Sequence, residues 1–329
     1  MSIEKSLPPH CRAHRPLRTV LIGTSLGSES DEVVRAGLAM ARKAGARVLL
    51  VHALQREPLP VFLTGGAVAE RDQLTLANVE LSRQIARLGI RDEELAGSRA
   101  RVGAPYRILI ETAQQAGADL IVVGATGAGP FAAELLGTTA ERVLRKALCP
   151  VLIVRDGFQV PPRRVLAPVD LSTLAGDAFR CGLQLLAQLA GRDEIQVEAV
   201  YALSFLDAPR EQVERSAAEV LRRFVLENRA DASFRVDTAV LAGEARGEIL
   251  SKLKEQPVDL VVLGTHGRGG LDRLVLGSVA STVARKAPCS VLVISPEAAL
   301  AEGIAEAIVS QTEPAWQPEP DASPRLSPV

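Results

Sequence analysis

A four-residue pattern occurs twice at one spacing: Gly124, Gly127, Gly137 and Thr138, then Gly264, Gly267, Gly277 and Ser278. Both sets read Gly-x2-Gly-x9-Gly-(Ser/Thr), at an offset of 140 residues. Each follows an apolar run, DLIVVG or DLVVLG, and opens a helical pattern, TTAERVLRK or SVASTVARK. Glycines between a strand and a helix let an anion approach the backbone, because no Cβ stands in the way. The free N–H groups and positive dipole end of the following helix point at the same place. That combination binds phosphate. In the second copy Arg268 and Arg273 add positive charge, and Ser278 can cap the helix or give its hydroxyl to a phosphate. Asp170 closes the first apolar run of that copy. A carboxylate placed there, across the crevice from the glycine loop, accepts from a ribose hydroxyl or an adenine amino group.

The elements that position these residues are themselves duplicated. Segments 119–154 and 259–294 are identical at 16 of 36 positions. RTVLIGTSL (18–26) matches RRVLAPVDL (163–171) at an offset of 145, and ARVLLVHAL (46–54) matches QVEAVYAL (196–203). A repeat this long means duplicated domains rather than a solenoid. Each copy reads as short Val/Leu/Ile-rich strands alternating with helical segments, which indicates right-handed βαβ crossovers and a parallel sheet buried on both faces. The expected division is a first domain over 17–156, a second over 162–297, and a remainder over 298–329. The linker DGFQVPPRR (156–164) is short, so the two domains must lie against each other. EAALAEGIAEAIV (297–309) reads as a short helix, and the five prolines in 312–329 read as a disordered tail containing Trp316. Residues 55–73 read as a long loop around Gly65-Gly66. The corresponding part of copy two becomes helical sooner, with Val213, Ala217, Val220, Leu221 and Phe224 on one face.

Composition narrows the function classes. The chain has 329 residues, 47% hydrophobic but 3% aromatic, so aliphatic side chains must build the cores. A net charge of −1 leaves no nucleic-acid footprint and no basic membrane patch. The cluster His10, Arg12, His14, Arg15 and Arg18 is short and reads as a solvated tail. No run of 18 apolar residues and no cleavable leader pattern is present, so the expectation is a soluble cytoplasmic protein. Cys11, Cys149, Cys181 and Cys289 form no metal-ligand spacing, and Cys149 and Cys289 read as small buried hydrophobes.

Both copies resemble the universal stress protein family, whose nucleotide-binding members carry Gly-x2-Gly-x9-Gly-(Ser/Thr) before the last helix; Pro168-Val169-Asp170-Leu171-Ser172 adds to the likeness. The resemblance covers roughly 17–297. It implies an α/β fold of two tandem doubly wound five-stranded parallel sheets, each of order 3-2-1-4-5. It also implies antiparallel pairing of the last strands, so that Val151–Val154 meet Val291–Ile294 as an intramolecular pseudo-dimer. Carried over by position, Val169 and Asp170 would touch the nucleoside and Val200 would line the adenine pocket. Gly264, Gly267, Arg268, Gly277, Ser278 and Val279 would surround the phosphates of ATP or another adenine nucleotide, with Mg2+ as an accompanying ion. Further implied partners are a second copy of the chain and an unidentified protein.

Copy one departs from that pattern. Ser25 stands where copy two has Asp170, Ala128 matches Arg268, Ala133 matches Arg273 and Glu134 matches Leu274. Gly124, Gly127, Gly137 and Thr138 persist, so a weaker or absent site is expected there. Two other motifs do not hold up. Gly23-Thr24-Ser25-Leu26-Gly27 has the form of a nucleophile elbow, but it follows the first strand and its duplicate has no nucleophile. Gly127-Ala128-Gly129-Pro130-Phe131-Ala132 nearly fits a dinucleotide fingerprint, but it follows the fourth strand. No base is evident to activate water. The expectation is a stress-response regulatory module that binds adenine nucleotide mainly in its second domain and is not an enzyme; the alternative is an interaction module of the same fold that works without nucleotide.

Overall fold

The structure, a computed structural model, describes residues 16–55, 67–125, 136–190, 194–203, 210–229, 235–265 and 276–295. Gly127, Gly267, Arg268, Arg273, His266, most of the basic N-terminal cluster, the 297–309 helix and the 312–329 tail with Trp316 lie outside the described residues. In the first repeat the elements run β1 Thr19–Thr24, α1 Asp31–Ala44, β2 Arg47–Leu54, α2 Ala67–Arg87 and β3 Leu95–Val102, then α3 Pro105–Ala116, β4 Leu120–Gly124, α4 Thr138–Lys146 and β5 Val151–Val154. The second repeat runs β6 Arg164–Pro168, α5 Thr173–Ala187, β7 Gln196–Leu203, α6 Arg210–Asn228 and β8 Val236–Ala242, then α7 Ala245–Glu255, β9 Leu260–Gly264, α8 Ser278–Lys286 and β10 Ser290–Ile294.

These strands form one ten-stranded sheet of order β3-β2-β1-β4-β5-β10-β9-β6-β7-β8. Each half has the order 3-2-1-4-5 and is parallel throughout. The halves meet antiparallel at β5 and β10, with Val291 opposite Ile153, Leu292 opposite Leu152 and Val293 opposite Val151. The pseudo-dimer implied by the resemblance is therefore the observed arrangement. Side chains alternate across the sheet, as strand geometry requires. Val20, Ile22, Leu152, Val165 and Ile294 belong to the core under α1, α2, α5 and α6. Leu21, Ile153, Leu166 and Val291 belong to the core under α3, α4, α7 and α8. Both cores run unbroken across the seam.

Symmetry-related side chains fasten the same elements in each repeat. Asp119 Oδ2 accepts from the N–H groups of Arg18 and Thr19 at 2.8 and 2.9 Å, and Asp259 Oδ2 accepts from those of Arg163 and Arg164 at 2.7 and 2.8 Å. At the seam, Arg155 Nη2 donates to the carbonyls of Ala284 and Arg285 at the end of α8, both at 3.0 Å. Its counterpart Ser295 donates to the carbonyl of Ala147 at the end of α4, at 3.3 Å. A cation at a helix C-terminus satisfies orphan carbonyls and opposes the helix dipole.

Three expectations need correction. Residues 67–73 are helical, not loop: Ala67-Val68-Ala69-Glu70-Arg71-Asp72-Gln73 forms the first two turns of α2. Ala, Glu, Arg and Gln are strong helix formers, and the glycine pair at 65–66 punctuates the chain before them, not among them. On α6, Ala217, Leu221, Phe224 and Val225 face the core, while Val220 is 52% exposed. Cys149 and Cys289 are half-buried as residues, whereas Cys181 is buried. Burial nonetheless pushes the Cys149 thiol up to about 12 and the Cys289 thiol up to about 11, so neither is a ready nucleophile. Among the described residues no helix is long and apolar enough to cross a membrane.

Candidate functional site

In the second half of the sheet the chain leaves β6 toward β7 on one side and later returns as β9 on the other. At such a reversal, beyond the carboxyl ends of the two diverging strands, here β6 and β9, open α/β sheets bind ligands. On the β6 side, Pro168 is in register with Val200, and the N–H of Val169 donates to the carbonyl of Val200 at 2.9 Å. Val200 is 1% exposed, and β7 runs three residues past it to Leu203. Asp170 then leaves the sheet. Its Oδ1 accepts from the N–H of Ser172 at 3.0 Å and from the Ser172 hydroxyl at 2.6 Å. The same hydroxyl oxygen accepts from the N–H of Ala175 at 3.2 Å and so caps α5. Between them Leu171 sits at φ 64°, a left-handed conformation unusual for a branched side chain. The loop, not the strand, aims the carboxylate.

On the β9 side, Gly264 is in register with Ile294. The N–H of Thr265 donates to the carbonyl of Ile294 at 3.0 Å, and that of Gly277 to the carbonyl of Thr265 at 2.7 Å. The start of α8 is thereby tied to the end of β9. Gly277 is the N-cap, with no side-chain cap, and Ser278 is the first helical residue. Of the two roles open to Ser278 in the sequence, capping therefore falls away, because the N-cap position is already taken by glycine. The first N–H to bond within the helix is that of Ser281, to the carbonyl of Gly277 at 2.8 Å. Val279, one position on, packs against the core below α8.

The first repeat has the same frame. The N–H of Gly137 donates to the carbonyl of Ala125 at 2.7 Å, Gly137 is the N-cap of α4 without a side-chain cap, and Thr138 begins the helix. Gly124 ends β4 in register with Val154. Here a cavity of about 460 Å³ opens beside Gly124, Gly137 and Thr138. Sequence reasoning missed one residue at its rim. Glu29 lines this cavity and accepts from the Ser25 hydroxyl at 2.9 Å. The only signal for it was Gly27, two positions earlier, where any Cβ would collide with the Glu29 carboxylate.

The profile of the Universal stress protein family matches twice, over residues 16–155 and 162–295. The chain belongs to that family. Universal stress protein Rv2005c of Mycobacterium tuberculosis is 28% identical over 293 residues, covering 83% of this chain and 96% of the relative. Universal stress protein Rv2623 of the same organism is 29% identical over 183 residues, covering 54% of this chain and 61% of that one. Among solved structures, the functionally unknown protein PA1789 from Pseudomonas aeruginosa superposes with a TM-score of 0.63 at 18% identity, covering 88% of this chain and 97% of the other. A universal stress protein from Archaeoglobus fulgidus gives 0.59 at 21% identity, covering 84% and 96%. At those identities the superpositions speak to the fold, which is a tandem pair of universal stress protein repeats.

Proposed function

We propose that this universal stress protein is a regulatory module that binds ATP or another adenine nucleotide in the crevice of its second domain, taken as 162–297. The observation that carries this reading is the N-terminus of α8. Its glycine N-cap supplies no side-chain acceptor, so the first-turn N–H groups suit a polyanion, and α8 follows β9, the neighbour of β6, whose following loop carries Asp170. In this reading Gly264, Gly277, Ser278 and Val279 form the phosphate side, joined by Gly267 and Arg268 from the segment between them. Asp170 receives the sugar or base, with Val169 and Val200 behind it. The nucleotide's phosphates would bring Mg2+ with them. The chain's own residues bind and orient, and no bond-breaking step is assigned to them.

One observation favours the alternative, an interaction module without nucleotide: Asp170 Oδ1 already takes two hydrogen bonds from Ser172, which suits a purely structural turn. Mass spectrometry of small molecules released by heating the purified protein separates the two. The expected result is an adenine nucleotide near equimolar amount, lost in Asp170→Ala and in Gly277→Leu. Equal nucleotide content in all three proteins, or none in the wild type even after incubation with ATP, would favour the alternative.

A further inference from the structure

We propose that the outer surface of α4 and α8, at the seam, is a docking surface for an acidic segment, and that its occupant is this chain's own stretch 296–329. α4 and α8 pack on the same side of the sheet, and Arg285 Nη2 of α8 donates to Glu141 Oε1 of α4 at 2.6 Å, so the two helices adjoin. Arg142, Arg145 and Lys146 of α4 and Arg285 and Lys286 of α8 are all exposed. Glu141 is the one carboxylate that the two helices carry, and its Oε1 already accepts from Arg145 Nη2 at 2.5 Å as well. Arg142 and Lys146 stand over the Tyr106 ring, 5.1 and 5.5 Å from its centroid. The last-turn pairs Arg145-Lys146 and Arg285-Lys286 complement their helix dipoles. Together with Arg142 they still leave five cations against one acid, a positive field that an acidic segment would neutralise.

Three observations choose the occupant. The described residues end at Ser295, whose hydroxyl donates to the carbonyl of Ala147 at the end of α4, so the stretch from 296 onward is tethered at this surface. That stretch carries Glu297, Glu302, Glu306, Glu313, Glu319 and Asp321 against a single cation, Arg325, in a chain whose net charge is only −1. Leu148, next to Ala147, is 49% exposed, and Leu300 and Ile304 follow the tether closely enough to cover it. Reach is no obstacle. The nine residues of α4 rise about 14 Å, whereas the eleven residues from Ser295 to Glu306 span up to about 40 Å when extended. A segment joined to its own docking surface meets it at an effective concentration of roughly millimolar, so exposed ion pairs that are individually weak suffice to hold it. Salt screens such pairs, so the cover comes off as the ionic strength rises.

Zero-length carbodiimide crosslinking of the full chain tests it, read by mass spectrometry on an equal mixture of isotope-labelled and unlabelled protein. The expected links join Lys146 and Lys286 to carboxylates between 297 and 321 within single copies. Few should come from Lys43, which is also exposed but lies on α1, across the sheet. The links should vanish at about 1 M NaCl, where the Debye length is about 3 Å. Arg142→Gln, Arg145→Gln and Arg285→Gln together keep both lysines and should cut the yield by about threefold or more. The salt series needs no variant, so it decides the question even if the triple substitution disturbs folding. No links from Lys146 or Lys286 to the segment, links from Lys43 just as frequent, links only between labelled and unlabelled copies, or a yield indifferent to salt would overturn the proposal.

Discussion

Glu94 shows how much one side chain can carry. Its two oxygens accept from Arg42 Nε at 2.7 Å, Arg42 Nη2 at 3.0 Å, Arg91 Nη2 at 2.8 Å and the N–H of Arg91 at 2.9 Å. Foremost the Arg42 hydrogen bonds, then those of Arg91, hold its carboxyl well below the usual carboxylate range. A carboxyl whose folded pKa is depressed stabilises the fold above its unfolded value of about 4.3 and loses that contribution as the pH falls below it. Urea denaturation should therefore show Glu94→Gln less stable than wild type at pH 7, with the gap narrowing below about pH 4. A gap of constant size from pH 7 to pH 3 would mean that the carboxylate charge does not matter there. At this scale the sequence was legible where a residue recurs at a fixed offset. Gly264 ends β9 and Gly277 immediately precedes α8, the strand-to-helix places their spacing gave them, whereas Asp170 lies two residues beyond the end of β6. Glu29 was not legible, because its position depends on the left-handed turn at Leu26 and the bare backbone of Gly27, neither of which a pattern records.

Among the elements, α2 is the most informative. It docks through a buried polar cluster, not only through apolar contacts. Gln84 is 0% exposed; its Oε1 accepts from the Thr24 hydroxyl at 2.9 Å, and its Nε2 donates to Asp31 Oδ1 at 2.9 Å. Arg87 completes the cluster by donating to both Asp31 oxygens, at 3.0 and 2.7 Å. The second repeat has Val169, Ala175 and Gly176 in place of Thr24, Ser30 and Asp31. Gln84→Leu keeps the volume but removes partners from buried oxygens, and should cost about 1–3 kcal/mol in urea denaturation. A neutral result would mean that the cluster re-pairs without it. Helix periodicity could not foresee this, since it reads α2 only as a helix with a core face. The early start of α2 was hidden for another reason: the glycine pair drew the expected loop too far into good helix-forming sequence.

For the whole molecule the seam decides. Fold class and strand order were open to reading from the alternation of strands and helices together with the family likeness. The pairing of β5 with β10 came from the likeness alone, because an apolar strand does not say which neighbour it will choose. Arg155 reinforces that seam from one repeat to the other, and burial pushes its pKa down against the opposing influence of nearby Cys289 and Asp156. Arg155→Met should lower the stability of the whole chain by about 1–3 kcal/mol. Arg145→Met, which breaks only an exposed contact with Glu141, should stay within about 0.5 kcal/mol. Equal effects in thermal or urea unfolding would show that the cross-repeat contact carries no special weight.

The seam has one more result. Two identical subunits joined edge to edge must carry identical crevices, and any mutation in one appears in the other. Here both edges belong to a single polypeptide, and each crevice has its own codons. Every molecule contains one of each in fixed ratio, so the halves are free to diverge without ever producing mismatched assemblies.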